Sequence, residues 1–195
     1  MTKKLSASEL IRNRRSMYPG SYSEETVPEE IINEILENAN WAPTHKLTQP
    51  WRFVVFTGEG LKTLAKKQAD VYKESTELSG TFDQGVYDML LSKPLKASHV
   101  IAIIMKRDNQ ERVPEIEEIA SVSAAVQNMY LTACYYELGC YWGTSGITYF
   151  KKTHQLFNLE ENDRFMGFFF IGKLNREYPE GKRDSIEDKV QWVKE

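Results

Sequence analysis

Arginine and serine side chains are concentrated in the segment Arg12-Asn13-Arg14-Arg15-Ser16, near the start of this chain. Guanidinium groups present N–H donors whose geometry matches phosphate oxygens, and a hydroxyl group adds a further hydrogen bond. The segment also follows a short helical pattern, where basic residues offset the negative end of the helix dipole. It therefore indicates either a phosphate-binding site or an ordinary helix end.

A second polar segment lies in the sequence ANWAPTHKLTQPWRFVVF, residues 39–56, between two prolines. His45 and Lys46 lie inside this loop, and an apolar stretch typical of a buried strand follows it. Because the residue before a proline is steered away from the helical conformation, we expect the prolines to hold the loop open and extended. The loop is either an ordinary connection or one wall of a pocket.

A third segment, Trp142-Gly143-Thr144-Ser145-Gly146, follows the longest apolar helical pattern of the chain. Its glycines would let backbone N–H groups approach a ligand closely. A plain turn from a strand into a loop would account for the same residues.

Signatures of common catalytic and metal sites are missing from the sequence. It contains no glycine-rich nucleotide loop, no G-x-S-x-G motif and no H-E-x-x-H motif. The histidines, His45, His99 and His154, lack metal-ligand spacing, and we expect His99, beside an apolar strand, to be structural. Cys134 and Cys140 match neither a disulfide framework nor a zinc motif. We therefore assign no catalytic residue and no metal ligand.

Length and composition restrict the class of protein. The 195 residues suit one domain, residues 1–195, and 41% of them are hydrophobic. A net charge of −3 with scattered basic residues does not favour nucleic-acid binding. No apolar run is long enough to cross a bilayer, and the N-terminus lacks the apolar region of a signal peptide. We therefore expect a cytoplasmic protein.

Apolar periodicity predicts helices that alternate with buried strands, which indicates an α/β or α+β fold. Capping boxes at Ser6–Glu9 and Thr26–Glu29 predict the starts of the first two helices. The small apolar residues of 115–138 predict a long buried helix that ends at Gly139. Buried strands are predicted at 51–57, 100–105 and 164–171, with a short one at 140–143.

Two segments fall outside this regular pattern. Residues 76–96 are polar and contain Gly80, Gly85 and Pro94, so we expect a mobile excursion with about one helical turn. The C-terminal sequence VQWV carries residues of the buried type, and we expect it to dock on a second subunit.

Taken together and in order, these segments resemble the flavin-dependent nitroreductase family, in its compact bacterial NAD(P)H form. The resemblance covers nearly the whole chain and rests on IRNRRSMY (11–18), ILENANWAPTHKLTQPWRFVVF (35–56), LKASHVIAIIM (95–105), SVSAAVQNMYLTACYYELGCYWGTSG (121–146) and FMGFFFIGKL (165–174). It implies an α+β, nitroreductase-like fold with a central mixed, mostly antiparallel sheet flanked by helices. A long buried helix is expected at a homodimer interface.

The resemblance also implies that each interface binds FMN. Arg14 and Ser16, with Arg15 between them, match the residues that hold the phosphate and ribityl chain. The proline-bounded loop, which reaches the flavin from the other subunit, makes Trp41, His45 and Lys46 candidates. The remaining candidates are backbone groups along the isoalloxazine edge and a late basic residue: Trp142, Gly143, Thr144, Ser145, and Lys182 or Arg183.

Two positions depart from the family's pattern. Leu47 lies where larger relatives often have asparagine, and Tyr18 lies where many have a basic residue. A cation beside the flavin stabilises its anionic reduced form electrostatically, and Lys46 is a candidate for that charge.

The activity that the resemblance implies is hydride transfer from NAD(P)H and reduction of nitroaromatic, quinone or similar small acceptors in a ping-pong mechanism. The flavin would carry the redox chemistry, so no acid, base or nucleophile of the protein is needed. The polar excursion at 76–96 could cover the pocket. Other flavin reactions, such as ene reduction or dehydrogenation, and a non-catalytic flavin-binding or flavin-sensing protein remain alternatives. The choice between NADH and NADPH stays open.

Overall fold

A four-stranded antiparallel sheet organises the chain, whose computed structural model describes residues 5–77, 79–144 and 146–195. The strand order is β1-β2-β4-β3, and each neighbouring pair is antiparallel. The α+β prediction is confirmed, while the described residues contain only antiparallel pairings rather than a mixed sheet. The strands are β1 (Trp51–Thr57), β2 (His99–Met105), β3 (Leu138–Gly143) and β4 (Arg164–Lys173).

The two central strands, β2 and β4, lie between layers of helices. Every residue of β2 is buried, as its continuous apolar sequence predicts. His99 at its first position is buried too, its Nδ1 atom lies 2.9 Å from the Ser98 hydroxyl, and burial lowers the pKa of its ring. The structural role predicted for His99 is therefore confirmed.

Helices cover both faces of the sheet and produce two hydrophobic clusters. One cluster lies between the sheet, α2 and α5, and the other lies between the sheet, α3 and α4. None of the described helices is long and apolar enough to cross a membrane. The helices are α1 (Ala7–Asn13), α2 (Glu29–Asn40), α3 (Glu59–Thr76), α4 (Gln84–Ser92), α5 (Glu115–Tyr135) and α6 (Lys151–Leu156).

Helix ends follow the sequence signals only in part. The capping box of Ser6 and Glu9 is present at the start of α1. The second predicted box is wrong, because Pro28 is the N-cap of α2 and no side chain caps that end. Helix α5 ends before Gly139, since Glu137 takes the left-handed conformation with φ of 56°.

The segment predicted as a mobile excursion is instead largely regular structure. Helix α3 continues to Thr76, and the nine residues of α4 replace the single expected turn. Gln68 donates to the carbonyl of Leu90, and the backbone N–H of Asp83 donates to the Tyr72 hydroxyl. These contacts pack α4 on α3, so the described part of the segment contains more helix than the single predicted turn. That the segment is mobile stays a prediction. Leu78 lies outside the described residues.

A bulge in β4 shapes the sheet next to the third candidate segment. Ile103 pairs with Gly167 and Ile104 with Phe165, so Met166 is the extra residue of β4. Gly167 has φ of +105°, and a Cβ atom there would lie 2.3 Å from the carbonyl oxygen of Gly143. Only glycine satisfies both conditions, and it lets β3 and β4 approach closely.

We expect Gly167→Ala to lower the free energy of unfolding by at least about 3 kcal/mol, because the added methyl group meets backbone rather than a movable side chain. Urea unfolding followed by circular dichroism would measure the change. Gly60→Ala is the matched control, since its Cβ would have no neighbour closer than 4.0 Å in helix α3. A loss in Gly167→Ala no larger than in this control would contradict the analysis.

Candidate cofactor site

The hydroxyl group of Tyr130, on helix α5, joins two of the three candidate segments. Its Oη atom lies 3.3 Å from the Ser16 hydroxyl, and the backbone N–H of Trp142 donates to it at 2.7 Å. The Arg14 guanidinium lies over the ring, 5.0 Å from its centre. Burial raises the pKa of Tyr130, so the hydroxyl stays protonated at neutral pH. Tyr130 therefore holds Arg14, Ser16 and Trp142 in one cluster.

Arg14 and Arg15 differ in what their guanidinium groups contact. Arg15 donates to three backbone carbonyls, those of Arg12, Arg14 and Pro179, and packs against Gly181. It thereby ties the C-terminal segment to the end of α1. The Arg14 guanidinium makes no hydrogen bond to any described residue. Arg14 is the arginine whose donors are available to an anionic group.

A cleft of about 1320 Å³ opens beside this cluster, between α1, α5 and the C-terminal segment. Five arginines and three glutamates line it, so its charge is positive on balance. Arg183 is among the lining residues and Lys182 is not. Of these two candidates, Arg183 is the one that faces the cleft.

The proline-bounded loop is not extended as predicted. Residues His45–Leu47 form a 3-10 turn, and φ is positive at Lys46, Leu47 and Gln49. The Thr44 hydroxyl accepts from the backbone N–H of Gln49 and lies 3.1 Å from the Thr48 hydroxyl. These local bonds fold the loop back on itself. Gln49, the residue before Pro50, has φ of 45° and so departs from the extended backbone that a following proline favours.

The loop side chains contact the start of α5 and the segment before it. Nδ1 of His45 lies 2.5 Å from a carboxylate oxygen of Glu117, and Lys46 donates to the carbonyl of Arg112. Trp41 is 78% exposed, with its indole N–H bonded to Glu37. The structure thus groups His45 and Lys46 at one end of α5.

The length of helix α5 gives the distance between the His45 group, which is His45 and Lys46 near Glu117, and the Tyr130 group, which is the cluster around Tyr130. Glu117 and Tyr130 are thirteen residues apart, which corresponds to about 20 Å along a helix. Within one chain, the His45 group and the Tyr130 group therefore lie far apart.

Trp142, Gly143 and Thr144 lie where β3 ends. The indole N–H of Trp142 donates to the carbonyl of Met166, the extra residue of the bulge. Gly143 is buried, whereas Thr144 is exposed, and Trp142 and Thr144 line a second cavity of about 500 Å³. Ser145 lies outside the described residues.

Sequence reasoning missed Tyr130 as a positioning residue. It belongs to a helix with mostly small and apolar residues, a pattern that predicts a core position and not a positioning role. The sequence distances from Tyr130 to Ser16 and to Trp142 match no known motif. The three residues come together only because α5 packs between α1 and β3.

Comparison with known proteins gives consistent matches. A family model described as the nitroreductase family matches residues 11–173. YfhC of Bacillus subtilis (strain 168), named as a candidate NAD(P)H nitroreductase, is 30% identical over 183 residues, which cover 93% of this chain and 91% of that protein.

Solved structures match over similar lengths. The crystal structure of a nitroreductase-like family protein from Bacillus cereus has a TM-score of 0.84 and 29% identity, and all of both chains is covered. A candidate nitroreductase from Desulfovibrio desulfuricans, solved in complex with FMN, has a TM-score of 0.71 over 98% of this chain and 99% of that one. At 22% identity, the second likeness concerns the fold alone.

We expect Tyr130→Phe to lower the free energy of unfolding by about 1–3 kcal/mol, because the N–H of Trp142 loses its acceptor inside the protein. Urea unfolding would measure this loss. Tyr135→Phe on the same helix is the control, since Tyr135 is half exposed. Equal stability of the two variants would show that the hydroxyl bridge contributes little.

Proposed function

This chain belongs to the nitroreductase family, and we propose that it is an FMN-dependent oxidoreductase that takes hydride from NAD(P)H and reduces nitroaromatic, quinone or similar small acceptors. The candidate nitroreductase from Desulfovibrio desulfuricans was solved with FMN, and the name of YfhC specifies NAD(P)H. Both facts concern proteins that are similar to this chain, and they support the proposal through that similarity. The observation that carries it in this chain is the cluster around Tyr130.

The donor set of this cluster fits a phosphorylated flavin. Arg14 offers a guanidinium with unused donors, and Ser16 adds an exposed hydroxyl 3.3 Å from Tyr130. A phosphate dianion pairs well with such a fork, and Arg183 adds positive charge across the cleft. The backbone N–H of Trp142 donates to the same hydroxyl and Thr144 follows two residues later, so backbone groups of this segment would face the ring system.

The residues around the site bind and orient rather than exchange protons. FMN, when bound, supplies the redox chemistry. Arg14 and Ser16 would hold its phosphate end, while the segment from Trp142 to Thr144, with Ser145, would define the edge of its ring. Lys46 and His45 of the partner loop would add positive or polar groups near that ring. A single pocket used in turn by NAD(P)H and acceptor accounts for a ping-pong mechanism.

A homodimer is part of the proposal, because one chain leaves too much surface exposed. Its accessible surface is 12334 Å², against about 9500 Å² expected for a compact monomer of 22.6 kDa. Helix α5 exposes one face, which includes Ile116 and Tyr135. The C-terminal segment, residues 181–195, is exposed throughout, with Trp192 at 80%. A second copy would cover both surfaces and bring its loop to the Tyr130 cluster.

The purified protein is expected to carry FMN and to lose its flavin absorbance when NADH or NADPH is added without oxygen. A nitroaromatic or quinone should then restore the absorbance, which stopped-flow spectrophotometry would record. Bound FMN that neither nucleotide reduces would instead indicate a flavin-binding or flavin-sensing protein. A chain without flavin would refute the proposal.

The double variant Arg14→Ala/Ser16→Ala tests the same proposal at the level of residues, and it should lose FMN during purification because the phosphate loses its direct donors. Arg176→Ala is the control, since it removes one arginine from the same cleft away from the Tyr130 contacts. If the double variant keeps its flavin as firmly as the parent, the site assignment is wrong.

Removal of residues 184–195 is expected to weaken the dimer, because the exposed apolar residues of this segment are proposed to pack on the partner. Light scattering coupled to size-exclusion chromatography would show a dimer for the whole chain and a larger monomer fraction for the truncated one. A whole chain that binds FMN as a monomer would contradict the two-chain site.

A further inference from the structure

The cavity beside Trp142 has the size and lining of a small-molecule pocket. It measures about 500 Å³ and lies between the end of β3, the start of β4 and helix α6. Aromatic rings form much of its wall, from Phe150, Phe165 and Trp142, with the exposed ring of Tyr149 at its rim. Such walls favour a flat aromatic molecule.

Basic side chains line the same cavity, and acidic ones do not. Lys151 and His154 project from α6 and Arg164 from β4, whereas no described lining residue is Asp or Glu. The charge of Arg164 is compensated by Glu115, whose carboxylate lies 2.7 Å away. Lys151 has no ion pair with any described residue. Lys151 lines the cavity and is exposed, so its charge is available to a ligand that enters there.

The neighbouring lysine shows that this arrangement belongs to the cavity side of α6 and not to the helix as a whole. Lys152 lies 2.6 Å from the carboxylate of Glu74 and does not line the cavity. The charge of Lys152 is therefore compensated by Glu74 of α3, whereas Lys151 lines the cavity and has no ion pair with any described residue. The pair provides a matched comparison of the two charges.

We propose that this cavity binds a ligand that carries both a flat aromatic ring and an anionic group, with Lys151 and His154 as the groups that select the anion. The inference rests on the proposed function and names its substrate class. Trp142 and Thr144 are shared with the proposed flavin edge, so a ligand in the cavity lies beside the cofactor. The anion is either a carboxylate on the electron acceptor or the 2′-phosphate of NADPH, which share the same electrostatic requirement.

Isothermal titration of the holoprotein with benzoate and with benzamide tests the cavity without any turnover. The two probes have nearly the same shape and differ in charge. We expect benzoate to bind roughly three- to tenfold more tightly than benzamide, the size typical of a partly exposed charge interaction. In Lys151→Gln/His154→Gln this preference should fall to about one, while Lys152→Gln keeps it.

No preference for benzoate in the parent, or an unchanged preference in the double variant, overturns the proposal. Thermal unfolding of each variant verifies that it is folded, which the exposed position of Lys151 favours. If the protein proves unable to oxidise NAD(P)H but the benzoate preference depends on Lys151 and His154, the proposed function fails and the anion site stands.

Steady-state kinetics then identifies the source of the anion. One arm compares the KM values for 4-nitrobenzoate and 4-nitrobenzamide, and the other compares those for NADPH and NADH. A change of the first ratio in Lys151→Gln/His154→Gln assigns the site to the acceptor, and a change of the second assigns it to the nucleotide. If both ratios match those of Lys152→Gln, the cavity does not select substrates and the proposal is refuted.

Discussion

The packing of helix α5 against the sheet is the constraint on which the rest of the structure depends. Val122, Ala125 and Met129 are buried against the sheet, and this fixes the rotation of the helix about its axis. That rotation points the Tyr130 hydroxyl at Ser16 and at the backbone of Trp142. One buried apolar face thereby positions a polar cluster that lies partly outside the core.

The other end of α5 holds a loop that would otherwise be unfavourable. Left-handed backbone at a non-glycine residue costs about 1–2 kcal/mol, and the loop contains three such residues, Lys46, Leu47 and Gln49. Hydrogen bonds that involve the side chains of Thr44, Lys46 and His45 offset part of this cost, with the Thr44 hydroxyl accepting from the backbone N–H of Gln49. The segment before α5 and the first turn of α5, which the loop contacts, therefore help to determine its conformation.

The segment before α5 is held to the helix by a largely buried ion pair between Arg107 and Glu118. Glu118 is 1% exposed, receives a hydrogen bond from the Arg107 guanidinium and also accepts from the backbone N–H of Asp108. A buried carboxylate is tolerated because it has both a charge partner and a backbone donor. The residues before α5 therefore form a firm support for the His45 turn, about 20 Å from Tyr130.

The sequence alone determined the class of fold, the apolar strands, the first capping box, the long buried helix and the absence of a conventional acid, base or metal motif. These features follow from local periodicity and composition, which each segment expresses by itself. Only the tertiary structure decided that Arg15 serves the C-terminal segment, that the proline-bounded loop is a closed turn and that 79–96 contains a packed helix. It also decided that Tyr130 links Ser16 to Trp142 and that Lys151 lines a cavity whereas Lys152 faces Glu74. Such outcomes depend on which distant residues meet, because a hydrogen bond or an ion pair needs a partner at about 3 Å and the sequence records no distance between segments that are remote in the chain.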